Sequence, residues 1–351
     1  MRRMTQATAI AAVALLVFAG CGKKTNDSDA AGDKPSTDDC VKVDSAKKVG
    51  MAFDVGGRGD QSFNDSAAKG LDKAACELGF DVQTAEAQDG EAESAREGRL
   101  QQLVDAGYNP IIAVGFAYSP SVGKIAAANP DVDFAIVDDG VEGDNIANLL
   151  FAEEQGSFLV GAAAALKSES DNIGFVGGVE VPLIVKFEAG YKAGAKAVNP
   201  DIEIQSRYLS QPPDFSGFGD PAKGKATADG MFQKGADIVY QAAGGSGGGV
   251  FEAAAAAGGK AIGVDSDQAL TADASVKDVI LTSMLKNIDV AVFTYLTDVD
   301  GGTAPTGPTI YDLSVDGVGY STTGGQVDDI KEKLDEYKQQ IVDGTITVPT
   351  S

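Results

Sequence analysis

The chain of 351 residues contains no histidine. That absence removes histidine-based catalytic triads and every zinc site that relies on imidazole. Cysteine is nearly as scarce, with Cys21, Cys40 and Cys76 the full set. Positive charge is short as well: 28 Lys and Arg face 52 Asp and Glu, a formal net charge of −24. Such a surface repels nucleic acid and anionic lipid, so no nucleic-acid partner is expected. Beyond the N-terminal segment, no apolar run is long enough to span a bilayer.

What is present begins with Arg2 and Arg3, an apolar stretch from Ala7 to Phe18 broken only by Thr8, and then Ala19-Gly20-Cys21. A basic start, an apolar core and small residues before a cut describe a secretory signal over 1–20. The cysteine directly after Ala-Gly resembles the bacterial lipobox, which implies a lipid on Cys21 and an anchor at the outer face of the cell membrane. Removing the signal takes two arginines with it and leaves a charge of about −26. Residues 22–46 hold almost no large apolar side chain, so burial cannot offset the entropy of ordering them. With Cys21 they read as a disordered tether over 21–46. Its reach as a flexible coil is roughly 25–30 Å. Outside the cytoplasm Cys40 and Cys76 read as a disulfide, worth roughly 4 kcal/mol by loop closure. Two unpaired thiols are the alternative.

From residue 47 short β-branched runs alternate with longer helical patterns. Strands are predicted at 48–53, 80–84, 110–115, 133–137, 171–176, 202–208, 237–240, 260–264 and 279–284, with Ala-rich helices between them. In 91–107 the residues Ala92, Ala95, Arg99, Leu100, Leu103 and Val104 recur near the helical period. This alternation implies an α/β fold with parallel sheets covered on both faces. About 300 residues suit two such doubly wound lobes better than one. The expected bounds are 47–151 with 266–304 for lobe I, and 152–265 with 305–345 for lobe II.

Open parallel sheets bind ligands beyond the carboxyl ends of their strands. Those positions hold Asp60, Phe63 and Asn64 after the first strand, Asp138 after the fourth, Gly244 after 237–240, Asp265 after 260–264 and Lys286 after 279–284. Each also has a plainer reading. Asp60 can cap a helix, Phe63 can belong to the core, the aspartates can be solvated strand ends, and Lys286 can be surface charge. The Gly244–Gly249 run lacks the lysine of a phosphate-binding loop and reads as a tight strand-to-helix turn.

Gly59-Asp60-Gln61-Ser62-Phe63-Asn64 resembles the GxxD-x-SFN signature of the basic membrane protein family, substrate-binding lipoproteins of ABC transporters that include purine nucleoside receptors. The resemblance continues through Ala135-Ile136-Val137-Asp138, Asn148-Leu149-Leu150-Phe151-Ala152-Glu153, Phe187-Glu188-Ala189-Gly190-Tyr191, Gly263-Val264-Asp265-Ser266-Asp267 and Thr282-Ser283-Met284-Leu285-Lys286. It covers most of the chain after the tether, in order. It implies a type I periplasmic-binding-protein fold, with two parallel-sheet lobes joined by a hinge and a nucleoside between them. By matching motif, Phe63 and Phe187 would sandwich the base while Asp138 and Asn64 read its polar edge. Asp265 would hold the ribose diol with Lys286 beside it, Gly244 would offer backbone, and Asp60 would sit at the mouth. The resemblance further implies a permease partner, a monomer, no metal or cofactor and no enzymatic activity. A nucleoside hydrolase is the rival of another class, drawn from Asp131, Asp133, Asp138 and Asp139. A strand between Asp133 and Asp138 would separate them by about 16 Å, too far to share one ion. A sugar ligand on the same fold, or a sensory role, are further alternatives.

Overall fold

Strands and helices alternate throughout residues 47–351, the portion of the chain described by a computed structural model. The signal, the Cys21 anchor, the tether and the Cys40 half of the expected disulfide all lie outside the described residues. The first run is β1 (Lys48–Phe53), α1 (Phe63–Glu77), β2 (Asp81–Glu86), α2 (Glu93–Asp105), β3 (Ile111–Val114), α3 (Ser119–Ala128), β4 (Phe134–Val137) and β5 (Ile146–Phe151). The second is α4 (Glu153–Lys167), β6 (Asn172–Val179), α5 (Pro182–Val198), β7 (Glu203–Ser210), α6 (Pro221–Phe232), β8 (Ile238–Ala242), α7 (Gly247–Ala257), β9 (Lys260–Asp265), α8 (Gln268–Thr271) and β10 (Ile280–Lys286). The chain ends with α9 (Ile288–Asp300), β11 (Gly307–Tyr311), β12 (Val318–Tyr320) and α10 (Lys331–Val342).

Two six-stranded sheets result, ordered β11-β5-β4-β3-β1-β2 and β12-β10-β9-β8-β6-β7. All pairings are parallel except β12 against β10. The central strands are buried on both faces, and their side chains divide by alternation. Ile112 and Val114 of β3 join the core under α1, whereas Ile111 and Ala113 join the one under α2 and α3. In the second sheet Phe175 faces α4 and α5 while Val176 faces α6 and α7. Period-2 side chains therefore feed two layers at once, which is why these strands read as unbroken apolar runs.

Helices α4 and α5 cross unusually closely. A Cβ placed on Gly161, Gly190 or Gly194 would land on the backbone of the facing helix. This close crossing fixes α5, and with it Phe187, against the rest of the second lobe.

The lobe boundaries differ from the expected ones. Strand β10, expected in lobe I within 266–304, pairs with β9 in the second sheet. Strand β11, expected in lobe II within 305–345, pairs with β5 in the first. The chain thus passes between lobes three times: at Ala152, at Asn287, and along 312–317. The strand pattern alone predicts a strand but not which of two similar sheets accepts it. The three passages are bound together. The Ala152 N–H donates to Tyr311 O at 3.1 Å, the Asn287 N–H donates to Gly317 O at 2.9 Å, and the Phe151 and Tyr311 rings stack at 5.3 Å. Among the described residues no helix is long and apolar enough to cross a membrane.

Candidate functional site

A cavity of about 790 Å³, open mouth included, lies between the carboxyl ends of the two sheets. All eight residues singled out from the sequence line it. Asp60, Phe63, Asn64 and Asp138 come from the first lobe. Phe187, Gly244, Asp265 and Lys286 come from the second.

The β1–α1 loop is built around Asp60. Its carboxylate accepts the N–H groups of Ser62 (2.9 Å), Asn64 (2.8 Å) and Asp65 (3.1 Å), closing the free end of α1. Burial nevertheless pushes its pKa up to about 6, against those donors. Asn64 is 2 % exposed and is also engaged: its Oδ1 accepts from the Asp54 N–H at 3.0 Å and its Nδ2 donates to Asp60 Oδ2 at 3.0 Å. The capping reading of Asp60 therefore holds, and both residues shape the loop that presents Phe63.

Asp138 directly follows β4 and Asp265 ends β9, with φ of 73° and 62°, the left-handed region that aspartate tolerates better than most residues. The bend turns both carboxylates into the cavity. Asp138 Oδ2 accepts from Lys286 Nζ at 2.5 Å, and its Oδ1 is buried without a partner. Burial raises the Asp138 pKa to about 7 although Lys286 opposes it. Asp265 Oδ2 accepts from Ser62 Oγ at 2.7 Å, across the lobes; burial likewise raises its pKa, with Lys286 again opposing.

Lys286 is 1 % exposed and joins these groups. Besides Asp138 it faces Glu153 Oε1 at 3.4 Å. Burial works against its ammonium, but the carboxylates, Asp138 foremost, raise its pKa above the ordinary lysine value. Its Nζ lies 5.2 Å from the Phe63 ring centre, 5.2 Å from Phe151 and 5.5 Å from Phe187. The Phe63 and Phe187 rings, from opposite lobes, thus both lie near one ammonium. Gly244 turns with φ of 54°, and a Cβ there would fall 3.2 Å from Phe218 O.

Several residues of the site were not assigned from the sequence. Glu153 opens α4 at 1 % exposure behind Lys286; Asp54 and Arg96 line the first-lobe wall. Phe116 packs against Phe215 and Phe218 of the other lobe, at 6.0 Å and 6.5 Å between ring centres. Arg96 had a legible signal: with Leu100 and Leu103 it forms the buried stripe of α2, whereas Ala92 and Ala95, expected on the apolar face, are exposed. A charge at a buried helical period is that signal. Asp133 precedes β4 and Asp138 follows it, and among the described residues no cluster of three or more His, Cys, Asp or Glu could hold a metal ion.

Chemically, the cavity offers two aromatic faces, an unpartnered carboxylate oxygen, a buried ammonium and backbone at a glycine turn. Such a set is chemically suited to a small planar polar solute. A family model described as ABC transporter substrate-binding protein PnrA-like (Bmp) matches residues 47–351. A CD4+ T-cell-stimulating antigen of Listeria innocua is 35 % identical over 374 residues, covering 99 % of each chain. The ABC transporter nucleoside-binding protein BmpA of Lactococcus lactis is 31 % identical over 365 residues, again covering 99 % of each. Among solved structures, an ABC transporter solute-binding protein of Aeropyrum pernix K1 matches with a TM-score of 0.76 at 31 % identity, over 87 % of this chain and 94 % of its own. A Caulobacter myo-inositol binding protein, at a TM-score of 0.59 and 16 % identity over 83 % and 99 %, shares the fold alone. The two parallel-sheet lobes have the type I periplasmic-binding architecture of these solute-binding proteins.

Proposed function

The chain belongs to the PnrA-like (Bmp) family of ABC transporter substrate-binding proteins, and from that premise we propose that it captures nucleosides, purine nucleosides first, and delivers them to an ABC permease. The observation that carries this reading is the pair of phenylalanine rings, Phe63 and Phe187, brought from opposite lobes to one cavity, each within 5.5 Å of Lys286 Nζ. A base between two rings needs a slot roughly 7 Å wide, two contacts of ~3.5 Å. The ring centres are separated by no more than the sum of their distances to the shared ammonium. Stacking contributes about 1–3 kcal/mol per base and tolerates any planar ring, so hydrogen bonds must select.

Asp138 Oδ1, buried and unpaired, is an acceptor open to a donor group of the ligand. Asp265 is suited to vicinal hydroxyls, with Lys286 and the Gly244 backbone alongside. Asn64 and Asp60 act through the loop, since their polar atoms already serve it. The carboxylates around the buried Lys286 ammonium disfavour a phosphate, so neutral nucleosides are the ligands rather than nucleotides. The BmpA relative is named for nucleoside binding, which supports the same choice. The N-terminal Arg2–Cys21 segment fits delivery by a monomeric receptor anchored through a lipid on Cys21 outside the membrane.

A thermal-shift screen of nucleosides, free bases and sugars tests the proposal. Nucleosides should raise the melting temperature most, and Phe187→Ala should weaken nucleoside binding at least about tenfold with folding intact. Stabilisation by sugars alone, or unchanged affinity in Phe187→Ala, would refute it.

A further inference from the structure

Arg96 reaches the first-lobe wall of the cavity from α2 and is 9 % exposed, yet the reading above gives it no work. Its Nε is buried without an acceptor. Its ion-pair partner Glu91 stands 3.5 Å from that Nε and is already held by Arg99 through two bonds of 2.9 Å and 2.6 Å. A guanidinium has five N–H donors in a rigid fork, and leaving a buried one such as the Nε–H unmet is costly. Asp54 lies on the same wall. One of its oxygens takes the Val55 N–H at 2.8 Å, and the other lies against Gly115, where a Cβ would come within 2.5 Å of it. Burial pushes Asp54 up to about 6, with the Val55 N–H and Arg96 opposing, so the carboxylate is ionised at neutral pH.

The wall therefore offers donors beside an acceptor. We propose that Arg96 and Asp54 together select the base by its edge, favouring bases that present a ring carbonyl next to a ring N–H over those that present an amino group next to a bare ring nitrogen. Hypoxanthine, guanine and uracil belong to the first class; adenine and cytosine belong to the second. Arg96 donates to the carbonyl oxygen and Asp54 accepts from the adjacent N–H. An amino base turns a donor toward the guanidinium and a lone pair toward the carboxylate, which leaves both buried groups unmatched. The inference rests on the nucleoside reading and adds its specificity.

Inosine and adenosine share ribose and stacking surface and differ at this edge, so calorimetric titration of the purified protein with each is the test. Wild type should bind inosine at least about tenfold tighter than adenosine. Arg96→Gln should bring the two within about threefold. Arg96→Lys, which keeps the charge but loses the fork, should lose most of the preference. Melting temperatures check that the variants fold, and the wild-type ratio stands as a test should either fail. Equal wild-type affinities, or a ratio unchanged in Arg96→Gln, overturn the selection by Arg96 and leave nucleoside binding standing. If wild type binds neither nucleoside, the functional reading falls and this inference with it.

Discussion

Lys286 illustrates how residue type and burial combine. The sequence marked it as a strand-end lysine equally suited to surface charge, and in the structure it is enclosed by Asp138, Glu153 and three phenylalanine rings. Removing one partner of a buried pair costs more than the pair contributes, because the remaining charge is stranded. Lys286→Met should lower unfolding stability at neutral pH by about 3 kcal/mol. The sign with pH follows from Asp138. Its folded pKa of about 7 lies above its unfolded value, so the folded state holds the proton more tightly. Stability from that protonation is complete below about pH 4 and is lost as pH rises through about 7. Without Lys286 the carboxyl is pushed higher still, so at pH 5 it is neutral and the penalty of the substitution should be smaller. Urea unfolding of both proteins at pH 5 and pH 7.5 measures this; an equal loss at both would contradict it. The chemistry of the site was legible residue by residue because carboxylates, lysine and rings recur at strand ends. Its neighbours were less so: Arg96 shows only as a charge at a buried helical period, and only three-dimensional packing brings Glu153, at the start of α4, to Lys286.

At the scale of elements, apolar period and glycine carried most of the information. The nine strands expected from β-branched runs correspond to β1–β4 and β6–β10, with ends shifted by up to three residues. Three strands, β5, β11 and β12, were not among them. The chain crosses lobes directly after β5, so its Asn148-Leu149-Leu150-Phe151 run reads as a boundary. Strand β12 has three residues, too few to show a period. Glycine was legible in sequence as composition and becomes structural only where helices touch. A Cβ on Gly194 would strike the Phe158 carbonyl of α4, so Gly194→Ala must push α4 and α5 away from each other. Overpacking of this kind costs about 1–3 kcal/mol. Because α5 carries Phe187, nucleoside affinity should fall with stability. A loss below about 0.5 kcal/mol by urea unfolding would show that the crossing has slack.

Across the whole molecule, the lobes are held together by contacts that sequence order conceals. Gln61 and Ser62 of lobe I meet the turn after β9 of lobe II, with Ser266 Oγ donating to Ser62 O at 3.0 Å and Gln268 Nε2 donating to Gln61 O at 3.0 Å. These bonds join the two lobes without any ligand, so they favour the closed arrangement before a ligand contributes. Apparent affinity equals intrinsic affinity multiplied by the fraction already competent, and weakening the latch should lower affinity without touching the cavity. Ser266→Ala removes one neutral hydrogen bond, worth about 0.5–1.5 kcal/mol, or roughly two- to tenfold in affinity at most. Scattering should show the ligand-free variant more open than wild type, and the two should match once nucleoside is bound. If the variant keeps wild-type affinity and the same ligand-free dimensions, closure is set by the three hinge passages alone and the latch only decorates a cleft already shut.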